Sequence, residues 1–133
     1  MTAIRVLVVD DQQHINRILQ RSLKQKGYDV SVSSNGAQAM DLLRQERFDV
    51  IITDYQMPVM DGVELCETYR SEFPENHCLM ILSTAVADEK LQTWSESMRD
   101  VLYLEKPVSM RRLSDILQDY FSRHEFGKRR ELT

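Results

Sequence analysis

The stretch Phe48-Asp49-Val50-Ile51-Ile52-Thr53-Asp54-Tyr55-Gln56-Met57-Pro58-Val59-Met60-Asp61-Gly62 decides the fold. It opens as a short apolar run rich in β-branched residues, the pattern of a strand buried on both faces. It then stops at a carboxylate. Asp54 stands where strand gives way to loop, and Pro58 and Asp61-Gly62 punctuate that loop. In open α/β sheets, ligands bind outside the carboxyl ends of the strands. A carboxylate there has a buried floor beneath it and solvent above, so it can be held rigidly and still be reached by a small phosphate donor or a metal. Taken alone, the same residues also suit an ordinary turn.

Toward the N-terminus, Ile4 to Val9 reads as a strand ended by Asp10-Asp11. A helix follows from about Gln12 to Lys26, with Ile15, Ile18, Leu19 and Leu23 as its apolar stripe and Gly27 as its stop. Tyr28 to Ser33 alternates weakly, which suits an edge strand, and Asn35-Gly36 turns the chain into a helix over Ala37–Glu46. Toward the C-terminus, a helix from Val63 to about Glu72 buries Val63, Leu65, Cys66 and Tyr69. Cys78 to Leu82 is a fourth strand, ending at Ser83-Thr84-Ala85. A helix from about Ala87 to Ser97 carries Leu91, Trp94 and Met98 toward the core. Val101 to Leu104 is a fifth strand, ending at Glu105-Lys106-Pro107. Ser109 caps a last helix that runs to about Arg123. Strands alternating with helices predict an α/β fold, a doubly wound parallel sheet with helices on both faces. Right-handed crossovers then bring every strand's carboxyl end to one edge.

At 133 residues the chain suits one domain, and 42% hydrophobic with 29% charged residues is ordinary for a globular protein. A net charge of −4 argues against direct nucleic-acid or membrane-surface binding by this chain. No apolar run reaches the length of a membrane span, and Met1 to Arg5 lacks signal-peptide architecture. Cys66 and Cys78 lack CxxC spacing and read as reduced core thiols, which together with the missing signal sequence gives a cytoplasmic expectation. His14, His77 and His124 are scattered and have no partner at metal-ligand spacing.

The strand ends form a chemical set. The first ends in Asp10-Asp11, the third in Asp54, the fourth in Thr84 and the fifth in Lys106. Each has an innocent reading as a cap or turn residue. Gathered at one edge, however, the three carboxylates repel one another unless a cation joins them. A hard, oxygen-seeking ion such as Mg²⁺ fits, because it takes few carboxylates and keeps waters and phosphate oxygens around it. Lysine offers a point charge, and the threonine hydroxyl can donate to a phosphoryl oxygen. An acceptor carboxylate, a cation, a lysine and a hydroxyl are the parts that position and neutralise a transferring phosphoryl group.

The segments Val-Val-Asp10-Asp11, Thr-Asp54-Tyr-Gln-Met57-Pro58-Val-Met60-Asp61-Gly62, Leu-Ser-Thr84-Ala85 and Tyr103-Leu-Glu-Lys106-Pro107 resemble those of the receiver domain of two-component response regulators. The resemblance runs from about Ile4 to Phe121 and implies a flavodoxin-like (βα)5 sheet of order 2-1-3-4-5. It implies that Asp54 accepts a phosphoryl group from a phosphohistidine on a sensor histidine kinase or histidine phosphotransfer protein. Asp10, Asp11, Asp54 and the backbone carbonyl of Gln56 would hold Mg²⁺ (or Mn²⁺), and Thr84 and Lys106 would contact the phosphoryl oxygens. Tyr103 matches an aromatic that swings inward when Thr84 moves, and the Lys106-Pro107 bond is expected to be cis. The surface of the fourth helix, fifth strand and fifth helix would then change to control a partner protein or effector domain. A homodimer formed on phosphorylation stays open, as does the identity of the target.

The chain departs from the family in places. Many receivers carry Gly-Ala shortly before the fifth strand, where Arg99-Asp100 stands here, and Gln12-Gln13 follow the acid pair where acidic residues are common. Gln56 and Val86 flank the path of an attacking water and should set phosphoryl lifetime. A phosphohydrolase of the haloacid dehalogenase type needs an acid two residues after its nucleophile, and Gln56 there cannot shuttle a proton. A P-loop is absent, and a phosphorylation-independent pseudo-receiver sits poorly with the full set of acids, Thr84 and Lys106. The domain expectation is a receiver over residues 1–124, with 125–133 a short basic tail or linker start, basic at Lys128-Arg129-Arg130. No DNA-binding domain follows in this sequence, so the chain reads either as a stand-alone receiver with output through protein contact, the favoured expectation, or as the front part of a longer regulator.

Overall fold

The computed structural model describes residues 3–123. The tail expectation for 125–133, and His124, lie outside the described residues. The elements run β1 (Arg5–Val9), α1 (Gln13–Gln25), β2 (Asp29–Ser33), α2 (Gly36–Gln45), β3 (Val50–Asp54), α3 (Gly62–Glu72), β4 (Leu79–Thr84), α4 (Glu89–Ser97), β5 (Val101–Glu105) and α5 (Met110–Arg123). All strand pairs are parallel and the order is β2-β1-β3-β4-β5, as expected, with β2 on one edge.

Side chains alternate across the sheet, and each face recruits its own helices. Leu7, Val9, Ile51 and Met80 point to one face, where α2 and α3 bring Ala39, Met40, Leu43, Leu65, Cys66 and Tyr69. Val6, Val8, Ile52 and Ile81 point to the other, where α1 and α5 bring Leu23, Leu113, Leu117 and Phe121. Each fully buried Val, Leu, Ile, Met or Phe among them contributes about 1.5–3 kcal/mol of transfer free energy. Both cysteines are free and buried, and burial pushes the Cys66 thiol up to about 12, so it stays protonated.

One expectation for α1 fails. Ile18 is 55% exposed, and Asn16 is buried in its place. At about 100° per residue, the inward direction set by Ile15, Leu19 and Leu23 passes closer to Asn16 than to Ile18. The start of α4 also moves from Ala87 to Glu89. Asp88 is its N-cap, its carboxylate accepting from the backbone N–H groups of Lys90 and Leu91. Ser109 caps α5 as expected, its Oγ accepting from Arg112 N at 3.0 Å.

Candidate functional site

The sheet delivers the acids. Val9 of β1 pairs with Thr53 of β3, so the next residues, Asp10 and Asp54, stand side by side at the carboxyl edge. Oxygens of Asp10, Asp11 and Asp54 all lie within 4.8 Å of one another. Asp10 is buried, Asp54 half-buried and Asp11 exposed, so the trio runs from the core to solvent. Both Asp10 oxygens are engaged: Oδ1 accepts from Gln12 N at 2.9 Å and Oδ2 from Lys106 Nζ at 2.9 Å. Lys106 Nζ also reaches Asp54 Oδ1 at 3.3 Å, so one ammonium bridges two of the three carboxylates.

The charges perturb one another. Burial lifts the Asp54 carboxyl above its ordinary range, and the Asp10 charge adds to this while Lys106 opposes it. Burial would lower the Lys106 ammonium, but its hydrogen bond to Asp10 and the Asp54 charge outweigh that and hold it above its ordinary value. The lysine is therefore a fixed positive charge.

The loop after β3 folds back tightly. Gly62 N donates to Tyr55 O at 2.8 Å, and a Cβ at Gly62 would lie 2.5 Å from the backbone oxygen of Asp54. A glycine is required by that approach. Asp61 caps α3 in a reciprocal capping box with Glu64. Two residues before this cap, Val59 is 80% exposed at φ 73°, an unusual conformation for a β-branched residue. Gln56 is exposed and lines an open cleft with Asp11, Tyr55 and Asp61.

The remaining residues stand one step away. Thr84 is buried at the end of β4, and its Oγ1 donates to Val86 O at 3.2 Å instead of meeting Asp54. Its backbone oxygen accepts from Lys106 N at 2.7 Å, tying the ends of β4 and β5. Tyr103 is half-buried, and its hydroxyl accepts from Asp88 N at 3.0 Å, at the cap of α4. The Lys106-Pro107 bond is cis, as expected. Where Arg99-Asp100 replaces the expected small pair, Asp100 adopts φ 57°, a left-handed conformation that Asp tolerates better than most residues.

Sequence reasoning missed Asn16 and Asp88. Asn16 had a signal in the helical wheel, and Asp88 sits one residue before a helical run, the usual place for a cap.

A doubly wound parallel sheet with an acid trio and a bridging lysine at its carboxyl edge defines a class of small acceptor domains. Comparison with known proteins fixes the family. A sequence model of the response regulator receiver domain matches residues 6–118, and the chain belongs to that family. It is a receiver domain of two-component response regulators, a phosphoacceptor switch. Response regulator MprA of Mycolicibacterium vanbaalenii is 33% identical over 110 residues, which is 83% of this chain and 47% of that protein. The chain thus spans about half the length of the curated relatives it matches. Among solved structures, the chemotaxis protein CheY4 of Vibrio cholerae superimposes with a TM-score of 0.81 at 28% identity, over 89% of this chain and 98% of that one. The response regulator TrrA of Thermotoga maritima, solved in complex with Mg²⁺-BeF, does so with a TM-score of 0.75 at 27% identity, over 87% and 97%. Among the described residues, no helix is long and apolar enough to cross a membrane.

Proposed function

We propose that Asp54 is the phosphoacceptor, taking its phosphoryl group from a phosphohistidine of a sensor histidine kinase or histidine phosphotransfer protein. The observation that carries this reading is the half-buried Asp54 carboxylate beside Asp10, Asp11 and the Lys106 ammonium. An Asp54 oxygen forms the O–P bond as the donor's N–P bond breaks, and the bonding electron pair leaves with the imidazole. Lys106 and the Thr84 hydroxyl are the groups for the phosphoryl oxygens. The hydroxyl reaches them by giving up Val86 O for a charged acceptor.

The donor set suits a hard divalent cation. Three carboxylates with oxygens within 4.8 Å, one of them exposed, are an oxygen-only set open to solvent. Asp10, Asp11, Asp54 and the Gln56 carbonyl would hold Mg²⁺ (or Mn²⁺). When bound, the ion supplies charge neutralisation for the incoming phosphoryl group.

Phosphorylation adds about −1.5 to −2 charge at the edge. Movement of Thr84 toward that charge pulls on Lys106 N and Val86, and Val86 leads into Asp88, which holds Tyr103. The surface of α4, β5 and α5 then changes its fit to a partner protein or effector domain. Leu102 is 39% exposed on that surface, an apolar contact available to such a partner or to a second phosphorylated copy. The chain catalyses only its own phosphoryl transfer and dephosphorylation, and the reading places it in the cytoplasm with its kinase.

The test is intact mass after incubation with a small acyl phosphate, with and without Mg²⁺. Wild type should gain a phosphate only when the metal is present, and Asp54→Asn should gain none. An adduct on Asp54→Asn, or none on wild type, overturns the assignment.

A further inference from the structure

Asn16 is a buried polar residue on α1, and both hydrogens of its side-chain amide are committed to backbone. Nδ2 donates to Asp10 O at 2.8 Å and to Ser33 O at 3.1 Å. Ser33 O also accepts from Asp10 N at 3.2 Å. One side chain therefore ties the ends of β1 and β2 together at the first residue of the acid cluster. Its own Oδ1 is buried without a partner. A half-satisfied amide is a poor choice for packing alone, because burying a polar atom unpaired is unfavourable.

The consequence lies in the peptide that Asn16 holds. Asp10 O belongs to the peptide unit joining Asp10 to Asp11, and that unit is planar. Fixing its oxygen restrains the backbone between the two α-carbons that carry the carboxylates. Gln12 N then closes the turn on Asp10 Oδ1 at 2.9 Å, which needs that peptide in the same orientation. We infer that Asn16 is a positioning residue: its amide locks the turn between β1 and α1 so that Asp10 and Asp11 stand ready for a divalent cation beside Asp54. This inference rests on the phosphoacceptor reading. Outer partners of metal-holding groups typically change metal affinity by about 10–100-fold when removed.

The experiment compares Asn16→Ala with Leu43→Ala, a cavity variant in the core beneath α2 whose side chain lines neither cavity at the acids. Mg²⁺ affinity is measured by calorimetry, and amide exchange at Asp10 and Gln12 is measured in metal-free protein. Asn16→Ala should lose about 10-fold in Mg²⁺ affinity. Its Asp10 and Gln12 amides should exchange several-fold faster relative to those of Val6 and Val8. Leu43→Ala should keep wild-type affinity at similar or greater loss of thermal stability. Asn16→Ser, which retains one donor, should recover part of the affinity. If Asn16→Ala does not fold, Asn16→Ser against Leu43→Val carries the same comparison, and wild-type affinity there overturns the inference. Equal Mg²⁺ affinity in Asn16→Ala and wild type, or an equal loss in the control, overturns it alone. A wild type that binds no Mg²⁺ and takes no phosphate overturns the phosphoacceptor reading and this inference with it.

Discussion

Replacing Lys106 by Met should destabilise the metal-free protein, and both metal and acid should restore it. The lysine Nζ stands 2.9 Å from Asp10 and 3.3 Å from Asp54, whose side chains are only 4% and 12% exposed. Without it, two poorly solvated carboxylates face one another within 4.8 Å. At that separation and an effective dielectric of about 20, their repulsion is about 3.5 kcal/mol. Partial protonation relieves some of this, so we expect a net loss of about 2–3 kcal/mol at pH 7.5, somewhat less than the usual penalty for breaking a buried pair. In urea that is a midpoint drop of about 1–2 M. The pH dependence has a definite sign. The Asp54 carboxyl is already raised in the folded protein, and losing Lys106 removes a group that lowers it. A raised folded-state value means that ionisation disfavours the fold. The deficit is present above that value, shrinks as pH falls through it and vanishes below the unfolded value near about pH 4. Saturating Mg²⁺ should also shrink the deficit by replacing the missing charge. A loss that is the same at pH 5 and pH 7.5 and indifferent to Mg²⁺ would show that the lysine acts through its alkyl stem, and the electrostatic account would fail.

Two further substitutions probe the frame around the acids. Gly62→Ala places a methyl 2.5 Å from both the Asp54 backbone oxygen and a methyl of Leu82. Backbone cannot yield cheaply, so a loss of about 1–3 kcal/mol in urea unfolding is expected; a loss under about 0.5 kcal/mol would mean that the loop after β3 is not pinned there. Tyr103→Phe removes the hydroxyl that accepts from Asp88 N. It should cost about 0.5–1.5 kcal/mol and speed amide exchange at Asp88, with Trp94 fluorescence reporting any shift of α4. Unchanged exchange at Asp88 would refute the tether.

The fold was legible because its central strands, β1, β3 and β4, are buried on both faces. Such strands read as continuous apolar runs, and β3 and β4 are almost wholly buried along their length. The acid cluster was legible because topology, once parallel, dictates where strands end. What escaped depended on degrees of freedom that sequence spacing does not fix. Ile18 and Asn16 both lie near the margin of the α1 stripe, and only the packing of α1 against the sheet decides between them. Nor does spacing fix the partner that the Thr84 hydroxyl takes in the unphosphorylated protein, Val86 O in its own loop rather than the phosphoryl group it is proposed to meet. Either acceptor suits a hydroxyl, and the local one is at hand in the unphosphorylated protein.

Strand spacing explains why these residue types occupy these strand ends. Neighbouring strands lie about 4.8 Å apart, so the ends of β1 and β3 hold Asp10 and Asp54 within mutual reach whatever their charges prefer. The backbone ladder, with Val9 opposite Thr53, imposes the repulsion and the side chains must live with it. Lys106 follows β5, two strands from β3 and three from β1, so its charge must cross about 10 Å of sheet edge to reach Asp54 and lean further still to meet Asp10. Only a long side chain does that, and it needs a low obstacle in between. The end of β4 supplies one in Ser83, Thr84 and Ala85, whose side chains are all small. Ser83 and Lys106 both line the cavity that reaches Asp10 and Asp54. Short acids on the central strands, small residues on the next and a long cation on the far one are thus what this sheet order demands of a charge-balanced acceptor site.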